Sequence, residues 1–346
     1  MKTLAIFLLT IILPAPLWAQ MRKPAGIAEL AVYNGADREQ ILYSGAKSEG
    51  KVIWYTSLAG DSYKAIARAF EAKYPGVRLE TYRAGGTELV PRMIEEARAR
   101  RPIFDVLETT EDSLTISKES KLLRPYFSPY LDKYPTEVKD NAEKNLVYST
   151  NVRESYLGFG YNKSQLSANA APKGFEGLLH PELKGKMGIT LNESSAKVIG
   201  AMIKIKGDGF VKKLKSQDIK AYTVSSAALV DMIAAGEIGA SFHIFRNHAL
   251  VSAAKGSSVA WIPMELVPTN CGGVALAGQS PHPHAALLLV DFVLNDAVKI
   301  FEKFQYGHPA NDYGFKRWYQ DRALPLAELE KETARWEKLA KEITQR

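Results

Sequence analysis

Two hydrophobic periods alternate along the first hundred residues. Val52, Ile53, Trp54 and Tyr55 form a short apolar run, and Thr56-Ser57-Leu58-Ala59-Gly60-Asp61 follows as a mostly small, polar loop. The period then changes. Tyr63, Ile66, Ala67, Phe70 and Tyr74 fall on one face of a helix, which Pro75-Gly76 stops. Val77, Leu79 and Thr81 alternate as a second strand, and Arg83-Ala84-Gly85-Gly86-Thr87 is a second polar loop. A second helix runs through Leu89, Val90, Met93, Ile94 and Ala97, with Pro91 tolerated in its first turn. Ile103 to Leu107 reads as a third strand and delivers Glu108-Thr109-Thr110-Glu111. Strands joined by helices make right-handed crossovers in a parallel sheet, so all three loops leave at its carboxyl edge. Open α/β sheets bind ligands at that edge. Thr56, Ser57, Arg83, Gly86, Thr87, Thr109 and Thr110 are therefore expected near one crevice. For any single unit the plainer alternative is an ordinary strand–helix corner.

The same design returns later. Gly26 to Gly50 is helical in two pieces, and Asp112 to Lys121 is helical after the third strand. A proline- and tyrosine-rich connection follows, through Pro125 and Pro135. Tyr148 to Asn162 is extended and reads as a crossing into a second lobe. Met187 to Leu191 is a strand, and Asn192-Glu193-Ser194-Ser195 opens the helix Ala196 to Lys206. Lys220 to Val224 is a strand, with Ser225-Ser226 capping the next helix. Ile238 to Phe242 is a strand with His243 to His248 at its carboxyl end, and Val259 to Val267 is the return crossing. The rest is mainly helical, ending in an amphipathic tail from Leu324 to Arg346. The pattern predicts an α/β clamshell of two lobes, each a mainly parallel sheet flanked by helices. The expected boundaries are residues 27–156 with 265–346 for lobe 1 and 157–264 for lobe 2.

Composition narrows this picture. At 346 residues, with 46% hydrophobic and 24% charged residues, the chain is globular and long enough for two cores. Met1 to Ala19 stands apart: Lys2, an apolar run from Leu4 to Leu13, then prolines and a small residue at the cut. This is a secretory signal peptide, too short for a permanent span. No cysteine near the cut offers a lipid anchor, so an exported, periplasmic chain is expected. Cys271 is the only cysteine, so no internal disulfide forms. The net charge of +7 falls to +6 without Lys2. No basic run interleaved with aromatics accompanies it, so nucleic acid is not an expected partner, and a bias toward anionic ligands is the better reading.

With these residues on the page, the chain resembles the periplasmic solute-binding proteins of ABC importers. The likeness is to the type II group that contains ferric-ion, thiamine, phosphonate and sugar-phosphate binders. It runs from about Ala46 to about Pro309. Its marks are EGKVIWYTS, FEAKYPGV, FDVLET, the Leu183-Lys184-Gly185-Lys186 turn and AALVDMIAAGEIGASF. The resemblance implies a monomeric receptor that delivers a small-molecule solute to a membrane permease by hinge closure, with no catalysis and no cofactor. The ferric branch uses a histidine in the first loop, a glutamate after the third strand and an adjacent tyrosine pair. Here the tyrosine positions fall on about Arg246 and Asn247 and the glutamate on about Thr110, while Thr56 to Asp61 holds no histidine. No metal is therefore expected.

Arg246 instead offers a fork of charged donors suited to carboxylate, phosphonate or phosphate. The expected ligand is a small organic anion. Expected contacts are Arg246 and Asn247, the hydroxyls of Ser194, Ser195 and Ser225, and the first-lobe residues named above. The alternative for Arg246 is a structural ion pair with Glu237 or Glu265. Rival functions are a ferric receptor, a sensor subunit, and an exported hydrolase using Glu108 and Glu111 as an acid pair.

Overall fold

The computed structural model describes residues 24, 26–167, 169–319 and 325–345. The expected signal peptide lies outside them. The first lobe opens with α1 (Ile27–Val32) and α2 (Arg38–Glu49). It continues with β1 (Lys51–Thr56), α3 (Ser62–Lys73), β2 (Arg78–Arg83), α4 (Gly86–Arg98), β3 (Val106–Thr110) and α5 (Glu111–Glu119). Short strands β4 (Leu123–Arg124) and β5 (Lys139–Asn141) lead to the long β6 (Val147–Asn162). The second lobe holds β7 (Gly188–Thr190), α6 (Glu193–Lys206), α7 (Asp208–Lys213), β8 (Lys220–Tyr222) and α8 (Ser226–Ala235). After them come β9 (Ala240–Phe245), α9 (Arg246–Ala254) and β10 (Val259–Ile262). The chain then returns through β11 (Val267–Ala277), α10 (Pro283–Asn295), α11 (Val298–Lys303) and β12 (Arg317–Trp318) to α12 (Leu326–Thr344).

In the first lobe β1 pairs in parallel with both β2 and β3, and β3 pairs antiparallel with β11, which pairs with β6. Crossovers through α3 and α4 therefore send the ends of β1, β2 and β3 to one edge. The apolar faces of α2, α3 and α10 fill one side of this sheet around Trp54, Phe70 and Phe292. Leu89, Met93, Leu107 and Leu123 fill the other side under α4 and α5.

One strand serves both lobes. Residues 149–156 of β6 pair with β11, whereas residues 157–162 pair antiparallel with β9 on one side and β10 on the other. The second-lobe sheet is therefore not the mainly parallel one expected; among the described residues the only parallel strand pair there is β7 with β8. Pro263 to Leu266 carries the chain back. A third passage was not expected from the sequence. α11 belongs to the first-lobe core through Phe301, but α12 packs against the second lobe through Trp336, Leu339 and Ile343. The stretch 265–346 thus does not return wholly to the first lobe. The physical reason is local: Gly200 of α6 leaves room for the Trp336 indole, which a Cβ there would meet at 2.7 Å. Glu154, fully buried, fastens this passage at the hinge. It accepts hydrogen bonds from Arg317 Nη1 at 2.8 Å, Tyr319 OH at 3.0 Å and Tyr156 OH at 2.7 Å. Among the described residues no helix is long and apolar enough to cross a membrane.

Candidate functional site

On the first-lobe edge the loops are tied down from beneath. Thr56 is buried; its Oγ1 donates to Glu108 Oε2 at 2.5 Å and accepts from the Leu58 amide at 3.1 Å. The Ser57 amide donates to the Glu108 carbonyl at 2.9 Å. Glu108 is itself fully buried and takes Arg153 Nε on Oε1 at 2.8 Å, while Arg153 Nη2 reaches Ser57 Oγ at 3.4 Å. Burial opposes the Arg153 charge, but Glu108 outweighs it and raises the guanidinium above its ordinary value. The Tyr306 ring covers this cation, 5.3 Å from its centre. Gly272 is required beside it, because a Cβ there would meet the guanidinium carbon at 2.4 Å.

This arrangement assigns the predicted first-lobe residues unequal parts. Thr56 and Glu108 hold the loop together, and Glu108 is unavailable as half of a catalytic pair with Glu111. Arg83 is exposed and pins the same loop through Nε to the Leu58 carbonyl at 3.1 Å. Thr110 N-caps α5 by backbone geometry, with its Oγ1 on Ser113 Oγ at 3.2 Å. Thr109 is buried, and its hydroxyl has no partner among the described residues. Gly86 starts α4 against it, where a Cβ would lie 3.1 Å from Thr109 Oγ1. Thr87 is the next residue of that helix.

On the second-lobe edge the Asn192 side chain accepts from the Ser194 and Ser195 amides at 3.1 and 3.3 Å. Ser195 Oγ in turn accepts from the Asn192 amide, closing a capping box. Asn192 Nδ2 also reaches Ser226 Oγ at 3.4 Å, so the amino ends of α6 and α8 converge. Ser225 is exposed and caps α8 through the Ala228 amide at 3.1 Å. The buried His243 accepts the Thr190 amide on Nε2 at 2.9 Å, and burial pushes its pKa down to about 4. His243 to Phe245 belongs to β9 and is not loop, and α9 begins directly at Arg246.

Arg246 is half-buried, its guanidinium 5.5 Å from the centre of the Tyr313 ring. The alternative ion pair does not form. Glu265 is bound by Lys206 Nζ at 3.1 Å and the Phe175 amide at 2.7 Å, and Glu237 is exposed. Among the described residues Arg246 has no carboxylate partner. Its neighbour Asn247 is buried, with Oδ1 likewise unpartnered. Asn247 lines a cavity of about 290 Å³ between the lobes. The first-lobe loop supplies Ala59, Gly60 and Asp61; α8 supplies Val230 and Asp231, α9 supplies His248 and its C-cap Lys255 adds a cation, with Phe304 and Tyr306 closing one side. Of the sequence-predicted residues, only Asn247 lines this cavity; the others lie at the strand ends and helix starts described above.

Sequence reasoning missed Arg153, Tyr306 and the α9 face. Arg153 carried a weak signal at most: it stands beside Glu154 in a mostly polar part of the extended stretch, and only the folded chain shows that both charges are buried and need partners. Tyr306 and Lys255 gave none, because only the folded chain brings them to the cleft.

Two α/β lobes that share the strand β6 and enclose a cavity between them have the architecture of two-lobed solute receptors. The chain belongs to the bacterial extracellular solute-binding proteins, whose family pattern matches residues 53–306. Solved structures agree in fold. AfuA from Actinobacillus pleuropneumoniae, with fructose-6-phosphate bound, is 23% identical; the match covers 86% of this chain and 97% of AfuA at a TM-score of 0.62. Iron-bound HitA from Pseudomonas aeruginosa is 21% identical, covering 85% and 99% at 0.64. An ABC-transporter substrate-binding protein from Agrobacterium tumefaciens is 13% identical, covering 87% and 97% at 0.70. No curated protein sequence matches the chain. Proteins of this family bind small solutes and work with ABC-transporter permeases.

Proposed function

We propose that this protein is a periplasmic receptor that closes on a small organic anion and presents it, as a monomer, to the permease of an ABC importer. The observation that carries the reading is Arg246, the first residue of α9 and the neighbour of the cavity-lining Asn247: its guanidinium lies over the Tyr313 ring, without a carboxylate partner among the described residues. A fixed, planar donor fork of this kind matches carboxylate, phosphonate or phosphate. The converging amino ends of α6 and α8 and the start of α9 add positive potential on the same lobe. That potential opposes Fe(III), so AfuA's phosphate ligand is a better guide here than HitA's iron. In this reading Asn247 and the Ser194 and Ser225 regions complete the second-lobe half, and the loop held by Thr56 and Arg83 supplies the first-lobe half.

A thermal-shift screen against phosphonates, sugar phosphates, carboxylates and Fe(III) tests it. A ligand at 100 times its dissociation constant stabilises the folded state by about 2.7 kcal/mol, a readily measured shift. The expected hits are anions recovered unchanged after incubation. A shift with Fe(III) alone, or consumption of the ligand, contradicts the proposal.

A further inference from the structure

The first lobe holds a second cavity, of about 370 Å³, on the sheet edge opposite the cleft. It opens where α4 and α5 end, before β3 begins and after β11 finishes. Its floor is apolar, with Met93, Phe104, Leu122 and Leu123 all buried. Its rim is cationic, carrying Arg100, Lys121 and Arg124.

Three observations separate this rim from an ordinary solvated surface. First, Arg100 and Lys121 both adopt left-handed backbone, with φ of 55° and 58°, at helix ends where glycine is the usual residue. Side chains at both positions bear that conformational cost, and both are cations. Second, Arg124 Nε donates to the Gly278 carbonyl at 3.2 Å, which holds its guanidinium beside the opening, and its other donors have no partner among the described residues. Third, no carboxylate forms an ion pair with any of the three among the described residues. Glu96, also in the lining, gives Oε1 to Arg92 at 2.8 Å and to Tyr55 OH at 2.6 Å, while its buried Oε2 has no hydrogen-bond partner among the described residues and leaves one acceptor at the floor. The negative ends of α4 and α5 favour cations in general. That accounts for two charges but not for an unfilled apolar floor between them.

We propose that this cavity is a second ligand site, taking a small amphipathic anion: a carboxylate or sulfonate on an aromatic or short aliphatic body. The volume lies within the range of small-molecule pockets. The ligand's apolar body covers the floor while its anionic group meets Arg124 and Lys121. Because the site lies at the amino edge of β3, it is separate from the cleft and remains open whether the lobes are apart or closed.

The test is a fluorescence titration of the purified protein with 8-anilinonaphthalene-1-sulfonate, with octanoate and benzoate as competitors. The expected result is saturable one-to-one binding, weakened at least tenfold in Arg124→Glu and in Lys121→Glu, and retained in Arg124→Lys. Ala97→Trp, on the exposed last turn of α4 at the rim, is expected to block binding by filling the mouth. Thermal unfolding of each variant checks its fold, and the exposed Lys121→Glu change carries the test if Ala97→Trp does not fold. Absence of saturable binding overturns the proposal. So does binding that survives the rim substitutions, or that is lost in Arg246→Ala, which places the probe in the cleft.

Discussion

Glu108 and Arg153 show how a cleft wall is set by groups the ligand never needs to touch. Both are buried, and each satisfies the other while also holding Thr56 and Ser57. Glu108→Gln leaves Arg153 charged and uncompensated in the interior, so it is expected to destabilise the fold by about 3–5 kcal/mol in urea unfolding. Replacing both partners together by Leu and Met is expected to lose less than the single change. His243 gives a pH signature. Its folded pKa, about 4, lies below the ordinary value of 6.5. Between those values the unfolded chain binds a proton that the folded one does not. Its contribution is therefore intact above about pH 6.5 and is lost as the pH falls toward 4, by about 3 kcal/mol in all. Unfolding of His243→Asn across that window is expected to depend less on pH than the parent chain. Arg246 and Asn247 could be placed at a strand end from sequence because topology dictates the edge. The part played by Thr56 could not, because hydrogen-bond partners fifty residues apart follow only from the assembled sheet.

Among the elements, the first three strands, their crossover helices and the capped helices of the second lobe are legible in the hydrophobic period. Most match their local pattern, from the Pro75-Gly76 stop to the Asn192 cap, but β3 runs Val106–Thr110 where the pattern reads Ile103 to Leu107, so Glu108 to Thr110 are strand paired with β11 and not loop. Two elements were not legible in full. α9 follows β9 without a loop or a side-chain cap, so no start signal marks it. α12 shows its amphipathic face but not which lobe that face covers. The answer depends on a glycine more than a hundred residues earlier. Gly200→Ala is expected to favour α6 intrinsically by up to about 1 kcal/mol, yet push the Trp336 indole from its seat. Overpacking of this kind costs about 1–3 kcal/mol. The net expectation is a loss of stability with an altered tryptophan emission spectrum; a stabilised variant with unchanged emission would show that α12 sits elsewhere.

At the scale of the molecule, the long strand β6 ties the lobes more closely than a pair of flexible linkers would. Its two halves belong to different sheets, and Glu154 lies beside the junction with Arg317 and Tyr319 fastened to it. In the proposed receptor, closure would be a bend about neighbouring points on β6, at Pro263 to Leu266 and along the third passage. Such a hinge brings the Thr56–Asp61 loop toward α8 and α9, the elements that already share a cavity. The clamshell plan and the edge that carries the site follow from strand order. Ligand chemistry depends on side-chain directions in the cleft, and the proposed reading puts most weight on Arg246.

The most direct test of that weight is a calorimetric titration of the best anion from the screen, with the parent chain and Arg246→Ala side by side. A charge-assisted hydrogen bond contributes about 1.5–3 kcal/mol, so the account predicts one-to-one binding weakened about 10- to 100-fold in the variant. Equal affinity in both proteins would contradict it and move the anion away from Arg246.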